Sequence, residues 1–163
     1  MVQQVSIRRA VEADFHSDFL KAMFADSYKI FEGLLGRSML RDGAFDQWAK
    51  NYDKTQDRSR IVLMLISGES PIGFAEGVLR TAPATALPEM MGFVAHIFVD
   101  PNHRRGGNAA RLYAALEEWF VARGVNSIEL QVVRGNDNAM AFWNGQRFAT
   151  ELVTMRKELE KND

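Results

Sequence analysis

The chain has 163 residues, 47% of them hydrophobic, and a formal net charge of -1 at pH 7. These values indicate a single globular domain over residues 1–163 with a sizeable core, and they argue against nucleic acid or an anionic membrane as a partner. The lack of cysteine excludes disulfides, thiolate metal sites and a cysteine nucleophile. Three scattered histidines do not indicate a metal centre, so we expect no metal. No apolar run is long enough for a signal core or a membrane span, and we therefore expect a cytoplasmic protein.

The first half of the chain predicts a strand followed by two helices. Apolar residues recur at helical spacing after Asp14, which is predicted to cap a helix running to about Ser27. Gly33 and Gly36 predict a loop or a broken helix after it. The other elements predicted here are a strand at Val5–Arg8 and a helix at Phe45–Tyr52.

A β-hairpin and a further strand are predicted next. The apolar runs Arg60–Ser67 and Ile72–Leu79 are separated by the turn Gly68–Pro71, which is typical of a hairpin. A surface loop is predicted over Thr81–Glu89. The run Met90–Val99 then predicts a buried strand, because it is almost continuously apolar and is stopped by Asp-Pro.

A basic, glycine-rich loop joins that strand to a predicted helix. Arg104-Arg105-Gly106-Gly107-Asn108-Ala109 runs directly into Ala110–Phe120, which has helical composition. This order places free backbone N–H groups, two arginines and the positive end of a helix dipole at one point, which favours a polyanion such as a pyrophosphate. The two glycines let phosphate oxygens approach the backbone closely. A plain surface turn is the alternative, because many surface loops are basic and contain glycine. The loop matches neither the G-x-G-x-x-G nor the P-loop fingerprint, so dinucleotide-binding folds and P-loop NTPases fit poorly.

The loop resembles the R-x-x-G-x-A/G signature of the GNAT-type N-acetyltransferase superfamily, with Arg104, Gly107 and Ala109 at the three fixed positions. In that superfamily the loop holds the pyrophosphate of acetyl-CoA. The resemblance therefore implies acetyl-CoA as the cosubstrate, with its pyrophosphate on the backbone amides of residues 105–109 and against Arg104. The implied loop contacts are Arg104, Arg105, Gly106, Gly107, Asn108 and Ala109.

A second segment, after a predicted strand at Ser127–Val132, resembles the superfamily element N-x-x-A-x-x-Φ-Tyr-x-x-x-Gly-Phe, in which Φ is apolar. The matching residues are Asn136, Ala139, Phe142 and Phe148. Trp143 replaces the Tyr, and Arg147 replaces the Gly. The resemblance implies that Asn136 holds the cofactor arm or the helix start, a plain N-cap being the alternative. Trp143 is expected to cover the thioethanolamine arm, because an indole does not give up its proton.

The resemblance implies the GNAT α/β fold, a mixed and mostly antiparallel sheet of six to seven strands with splayed central strands and about four flanking helices. The predicted order of elements agrees with it and ends in a closing strand over Phe148–Leu159, with Glu160–Asp163 frayed. In the superfamily the pantetheine arm enters the gap between the splayed strands. This places Ile97, Phe98 and Val99 in the cofactor site, with the main chain of Ile97 and Val99 bonding the arm.

Acetyl transfer to an amine needs a held thioester, a neutral attacking amine and a stabilised thiolate. His96 is the first candidate general base, because it precedes Ile97 and an imidazole titrates near neutral pH. The alternative is a half-buried strand histidine satisfied by a neighbour. Glu76, on the preceding hairpin strand, is a lower-ranked base, and the alternative for it is a solvated face. Gln131 stands where some relatives carry a Glu, but an amide accepts no proton at neutral pH.

These features predict transfer of an acetyl group from acetyl-CoA to a primary amine of a small molecule or peptide, by direct attack and without a covalent enzyme intermediate. Two alternatives stay open: a catalytically weak acyl-CoA-binding module, and a nucleotide-binding domain using the same loop. The acceptor and the oligomeric state are not predicted, although dimers are common among relatives. Four residues of the first two helices could line an acceptor pocket or simply form core: Tyr28, Phe31, Glu32 and Trp48.

Overall fold

One five-stranded sheet organises the part of the chain described by the computed structural model, which comprises residues 4–55, 58–82, 85 and 90–159. The strands are β1 (Val5–Arg9), β2 (Arg60–Ser67), β3 (Ser70–Thr81), β4 (Met90–Val99) and β5 (Ile128–Leu130). The helices are α1 (Glu12–Phe15), α2 (Asp18–Leu35), α3 (Ala44–Thr55), α4 (Asn108–Val121) and α5 (Asp137–Gly145), with a 3-10 turn at Pro101–His103. No helix in the described ranges has the length and apolar character needed to cross a membrane.

The strands lie in sequence order, and the first four are antiparallel to their neighbours. Only β4 and β5 are parallel, and their pairing ends at Val94 opposite Leu130. Beyond that pair, β4 continues for five residues with no strand beside it on the β5 side among the described residues. This pattern of pairing agrees with the predicted splaying of the central strands.

A β-bulge in β4 accompanies this separation. Glu76 pairs with His96, but the next residue, Gly77, pairs with Val94, so Ala95 is an extra residue without a partner in the β3 register. A bulge bends its strand and increases the local twist. Because Ala95 directly follows the last β4–β5 pair, the bend accounts for the point at which the two strands part.

Each face of the sheet buries its own core. On one face, α4 packs Leu112, Leu116 and Phe120 against strand residues, and Trp143 of α5 joins this cluster. On the other face, the first three helices pack aromatic and aliphatic side chains over β2, β3 and β4. Members of this second cluster are Phe15, Leu20, Phe24, Phe45, Tyr52, Phe74 and Phe98.

The second helix differs from the prediction at both ends. Ser17 caps it, since its side-chain oxygen accepts a hydrogen bond from the Leu20 amide at 3.2 Å. Asp14 instead accepts from the Val11 amide at 2.7 Å within α1. The helix continues through Gly33 and ends at Gly36, which has a φ of 66° and provides the left-handed residue that commonly terminates helices. The predicted loop at Gly33 is therefore wrong.

The count of six to seven strands and about four helices is also wrong, because five strands and five helices lie in the described ranges. The predicted closing strand over Phe148–Leu159 is absent: residues 149–159 have no regular secondary structure and are exposed. Apolar alternation predicts a strand only where a neighbouring strand is available, and none lies beside this segment. Most of the predicted loop at Thr81–Glu89, and Glu160–Asp163, lie outside the described residues.

Gly92 of β4 lies against the fully buried ring of Phe120, and an added Cβ would be 2.8 Å from the Phe120 Cδ1 atom. We expect Gly92→Ala to reduce the free energy of unfolding by about 1–3 kcal/mol through overpacking. Gly33→Ala is the matched control, because an added Cβ there meets nothing within 4 Å, and a helical alanine should add roughly 0.5–1 kcal/mol. Urea denaturation of both variants measures the difference, and equal effects would contradict this account of Gly92.

Candidate active site

The loop before α4 presents a row of unsatisfied backbone donors. Asp100 starts the 3-10 turn by accepting from the Asn102 amide at 2.8 Å, and Gly107 is the N-cap of α4. The first amide of α4 with a helical acceptor is that of Arg111. The amides of residues 105–110 have no acceptor among the described residues, as expected where a helix begins. Free amides together with the positive end of a helix dipole are the features that favour an anion at such a position.

The backbone conformation of this loop favours glycine at position 107, and the loop leaves open space beside Gly106. Arg105 and Gly107 have φ values of 64° and 75°, so both are left-handed, and glycine adopts this conformation without strain. A Cβ at Gly106 would meet only the Asn108 Nδ2 atom, at 3.9 Å. The structure therefore leaves open room above Gly106 beside the free amides, which is what a phosphate group needs.

Two side chains of the loop donate hydrogen bonds to nearby backbone carbonyls and so hold the conformation of the loop. Arg104 donates from Nε to the Val99 carbonyl at 2.7 Å, which ties the loop to the end of β4. Asn108 is buried and donates from Nδ2 to the His103 carbonyl at 2.8 Å. The Asn108 side chain thus shapes the loop, while its backbone amide has no acceptor among the described residues. Ala109 is half-buried and also packs against the α4 core.

The segment Ile97–Val99 follows the bulge and ends at this loop. Ile97 and Val99 contact the α4 core, and Phe98 lies on the opposite face. On the side where β5 has departed, this segment has no strand partner in the described structure. The predicted cofactor segment, the open gap and the loop amides are therefore contiguous.

Asn136 and Trp143 both have structural roles. Asn136 caps α5, since its Oδ1 atom accepts from the Ala139 amide at 3.2 Å. Trp143 is 6% exposed and stands edge-on to Tyr113, with ring centroids 5.3 Å apart. The capping interpretation of Asn136 is confirmed, and Trp143 belongs to the core beneath α4. Their contacts with a cofactor arm stay predictions.

On the other face of the sheet, Glu76 is 1% exposed and converges with three partners. His96 Nδ1 lies 2.6 Å from its Oε2 atom, and Trp48 donates from Nε1 to the same oxygen at 2.9 Å. Arg60 Nε lies 2.8 Å from Oε1. The alternative of a solvated-face glutamate is wrong. The sequence pattern could not show that Glu76 is buried. The three side chains that surround it come from three other elements, and their approach depends on the fold.

The pKa of Glu76 is lowered from its ordinary value, although burial alone would raise it. The hydrogen bond and charge of His96, the charge of Arg60 and the hydrogen bond from Trp48 outweigh the loss of hydration. Glu76 is therefore a carboxylate at neutral pH. A carboxylate accepts hydrogen bonds only, so His96 presents a protonated Nδ1 atom to it.

His96 continues the chain of hydrogen bonds to Tyr28 of α2, whose hydroxyl lies 2.8 Å from the His96 Nε2 atom. When the imidazole carries only its Nδ1 proton, Nε2 accepts a hydrogen bond from the Tyr28 hydroxyl. Burial first, and then the negative charge of Glu76, raise the pKa of Tyr28 above its ordinary value. The resulting order of donors is Tyr28 to His96 to Glu76, in which a proton accepted at Nε2 is stabilised by the carboxylate.

Aromatic side chains surround this imidazole. The ring centroids of Phe24, Phe74 and Trp48 lie 5.3, 5.9 and 6.1 Å from that of His96. The His96 side chain is 12% exposed, so it keeps a narrow access to solvent. An apolar wall of this kind strengthens the electrostatic interactions inside it.

Sequence reasoning identified His96 and Glu76 separately, and the structure brings them together. It named Tyr28 and Trp48 only as pocket or core aromatics and did not identify Arg60. Tyr28 falls one residue beyond the predicted helix end at Ser27, so its position over β4 was not predictable. Gln131 is exposed and lies just beyond β5. The described residues contain no group of three or more potential metal ligands.

The family model of the acetyltransferase (GNAT) family matches residues 20–148. This range contains the glycine-rich loop, the open strand segment and the Tyr28–His96–Glu76 chain. The protein belongs to the GNAT acetyltransferase family. No curated protein matches the sequence.

Solved structures share this GNAT fold. A mutant of the BH1408 protein from Bacillus halodurans superposes with a TM-score of 0.81 at 20% identity, covering 95% of this chain and 99% of that chain. The aminoglycoside acetyltransferase AAC(6')-Iy, bound to the bisubstrate analog CoA-S-monomethyl-acetylneamine, gives 0.71 at 18%, with 96% and 99% covered. A transcriptional regulator from Bacillus halodurans C-125 gives 0.74 at 17%, with 96% and 100% covered. At these identities the likeness establishes the fold alone.

The lowered pKa of Glu76 predicts a pH-dependent contribution to the stability of this GNAT protein. The unfolded chain protonates this carboxyl near its ordinary value of 4.5, whereas the folded chain protonates it only at lower pH. The stabilisation is therefore complete above pH 4.5 and is lost as the pH falls through the folded pKa. We expect Glu76→Gln to destabilise the protein by about 3 kcal/mol at neutral pH, because it leaves the charge of Arg60 unpaired.

The measurement is urea denaturation of both proteins at a series of pH values. The difference in free energy of unfolding should shrink steadily below pH 4.5. The exposed Glu69→Gln is the matched control and should change stability little at any pH. A difference that stays constant with pH would show that the stabilisation does not come from the charge of Glu76.

Proposed function

We propose that this protein transfers an acetyl group from acetyl-CoA to a primary amine of a small molecule or peptide, acting as a single domain. The observation that carries the proposal is the arrangement around one open strand segment. The unsatisfied amides before α4 adjoin one end of Ile97–Val99, and the His96–Glu76 pair begins at the other end. An activated acyl donor held along this segment would reach the pair.

The loop fits the pyrophosphate of acetyl-CoA on chemical grounds. The amides of residues 105–110 supply N–H donors, the dipole of the 14-residue α4 supplies positive potential, and Gly106 leaves room for phosphate oxygens. Arg105, which is exposed, would supply a further cation. Acetyl-CoA would provide the activated acetyl group and leave as CoA.

The catalytic task of the chain is then to accept the proton of the attacking amine. His96 is suited to it, because Glu76 fixes the Nδ1 proton and stabilises the imidazolium that forms when Nε2 gains a proton. The Tyr28 hydroxyl lies 2.8 Å from Nε2, so an amine bound at this hydroxyl would donate to the Tyr28 oxygen while the hydroxyl proton moves to Nε2. The raised pKa of Tyr28 keeps its hydroxyl protonated at neutral pH, so the hydroxyl has a proton to pass to Nε2.

The reaction proceeds by direct attack of the amine. The chain has no cysteine, and Trp143 offers no acidic proton to the leaving thiolate. Thiols are acidic enough for the thiolate to leave with solvent assistance. Rate acceleration then comes from positioning and from the His96–Glu76 base.

The acceptor would enter the cleft on the α2 and α3 face. Solved structures with this fold include aminoglycoside acetyltransferases, one of them in complex with sisomicin at a TM-score of 0.67 and 16% identity. These support an amine as the acceptor class. The aromatic rings around His96 favour an amine attached to an apolar group, because Phe24, Phe74 and Trp48 offer it apolar contact surface.

The test of the function is release of free CoA thiol from acetyl-CoA in the presence of a library of primary amines. We expect amine-dependent release with at least one member. A catalytically weak acyl-CoA-binding module would instead show CoA-induced thermal stabilisation with no release above the background. Stabilisation by ADP equal to that by CoA would indicate a nucleotide-binding domain and overturn the proposal.

General-base catalysis predicts a large effect at His96. We expect His96→Ala to lower kcat/KM roughly a hundredfold or more, because the amine proton loses its acceptor. The exposed His16→Ala is the matched control and should keep the wild-type value. Tyr28→Phe tests the relay and should also lower kcat/KM, whereas an unchanged rate would show that Nε2 takes the proton directly. An acidic limb of the pH profile that survives in His96→Ala would place the base elsewhere.

Cofactor placement predicts a selective loss of CoA binding at Gly106. We expect Gly106→Val to abolish CoA-induced thermal stabilisation, because its side chain would fill the space for phosphate, while the apo melting temperature stays close to wild type. Gly107 is unsuitable for this test, since a side chain at its φ of 75° strains the loop itself. Differential scanning fluorimetry with and without CoA measures both effects. Unaltered stabilisation by CoA in Gly106→Val would place the pyrophosphate elsewhere.

A further inference from the structure

The buried cluster around Glu76 contains one group whose charge is permanent. Arg60 Nε lies 2.8 Å from the Glu76 Oε1 atom, and a guanidinium stays protonated throughout the range in which proteins are folded. The side chains of Arg60 and Glu76 are 22% and 2% exposed, so solvent screens this pair little. The proton path from Tyr28 to His96 does not pass through this cation. Its presence beside the path therefore calls for a role of its own.

The register of the sheet places this cation beside the His96–Glu76 pair. Glu76 of β3 lies opposite Val62 of β2 on one side and opposite His96 of β4 on the other. Arg60 precedes Val62 by two residues, so both side chains lie on the same face of the sheet. Arg60 therefore reaches the carboxylate diagonally from the neighbouring strand.

The two oxygens of the carboxylate are used differently. Oε2 contacts His96 Nδ1 and accepts a hydrogen bond from the uncharged indole of Trp48. Oε1 accepts no hydrogen bond among the described residues, although Arg60 Nε is within contact distance. Arg60 therefore acts on Glu76 by its charge rather than through an aligned hydrogen bond.

We propose that Arg60 is a positioning residue that keeps the His96 imidazole uncharged at rest by balancing the charge of Glu76. His96 must be neutral to accept a proton in the proposed function, on which this role of Arg60 rests. A buried group of charges is most stable when its net charge is zero, because an uncompensated charge loses its hydration without replacement. With Arg60 present, the cluster is neutral when the imidazole carries only its Nδ1 proton.

Removing the guanidinium reverses this preference. The carboxylate of Glu76 is then balanced only when His96 is an imidazolium, and an imidazolium has no lone pair left to accept a proton. Arg60 also favours release of the proton after each turnover, since proton uptake at Nε2 gives the whole cluster a net positive charge. One fixed cation thus makes the same imidazole available for every cycle.

The other titratable groups that are buried or half-buried around this cluster are tyrosine hydroxyls, which are uncharged at neutral pH. Tyr28 of α2 lies 2.8 Å from His96 Nε2. Tyr52 of α3 lies in the same core, and Tyr113 of α4 lies in the core on the opposite face of the sheet. Glu32, one helical turn beyond Tyr28, is exposed. In the described ranges His96 forms an ion pair only with Glu76, so the carboxylate and the guanidinium together govern its protonation.

An NMR titration of the His96 ring tests the charge balance without any substrate. The chain has three histidines, so the ring resonances are assigned by substituting His16 and His103 in turn. We expect Arg60→Gln to raise the midpoint of the His96 titration by about one pH unit or more, because a positive charge at contact distance of its partner is lost. An unchanged midpoint would overturn the proposal.

Two further single variants separate charge from structure. Arg60→Lys should keep a midpoint close to wild type, because an ammonium supplies the same charge. Arg8→Gln is the matched control, since Arg8 pairs with Asp14 at 2.7 Å at the far edge of the sheet, and it should leave the His96 titration unchanged. A purely structural role of Arg60 would lower the melting temperature of its variants and leave every midpoint equal.

A second comparison does not depend on how well Arg60→Gln folds. Glu76→Gln is examined with and without Arg60→Gln, so that the carboxylate is absent from both proteins and the double variant contains no buried ion at these two positions. The His96 midpoint should be higher in the double variant, because Arg60 repels the imidazolium in the single one. Equal midpoints in these two proteins would also contradict the proposal.

The rate profile connects the charge balance with catalysis. With an amine that supports CoA release, Arg60→Gln should move the acidic limb of kcat/KM to higher pH by the same interval as the titration. The value of kcat/KM should fall about tenfold on that limb and return close to wild type at high pH, where His96 is neutral in both proteins. A midpoint that moves without the acidic limb would support the charge balance and overturn the proposed role of His96 as base. A lack of CoA release with every amine would overturn the proposed function and leave the titration result standing.

Discussion

A buried carboxylate imposes the main constraint on this structure. Removing the charge of Glu76 from water costs several kcal/mol unless hydrogen bonds and an opposite charge replace the lost hydration. Arg60 of β2, His96 of β4 and Trp48 of α3 supply that replacement, so one side chain ties together three strands and a helix. The positions of α2 and α3 over the sheet follow, because the indole and the Tyr28 hydroxyl must reach the pair.

The same carboxylate connects stability with chemistry. An ionised Glu76 selects the tautomer of His96, and this tautomer directs a free lone pair at Nε2 toward Tyr28. The apolar rings around the imidazole then serve twice, as the core beneath the first helices and as the low-dielectric wall of the cleft. The free energy of folding thereby orients the imidazole that we propose as the proton acceptor.

The sequence predicted those parts of the site that depend on local backbone chemistry. The loop at Arg104–Gly107 was predictable, because glycine placement and the start of a helix are local properties. The pairing of Glu76 with His96 was not, because it depends on the register between β3 and β4. The extra residue Ala95 decides which face of the sheet His96 occupies. In a strand with regular alternation, Val94 and His96 would lie on the same face, whereas the bulge places them on opposite faces. The predicted closing strand over Phe148–Leu159 illustrates the converse, since its pattern indicates a strand but a strand needs a partner that local sequence does not specify.

The extra residue at Ala95 also has a consequence for the rigidity of β4. Before the bulge, the strand is held between β3 and β5. After it, Ile97–Val99 keeps its pairing with β3 but has no strand on its other side among the described residues. Ile97 and Val99 nevertheless stay packed on the α4 core. The bulge therefore turns the end of a central strand into a sheet edge without loosening it, so that its free backbone groups are presented at a fixed position.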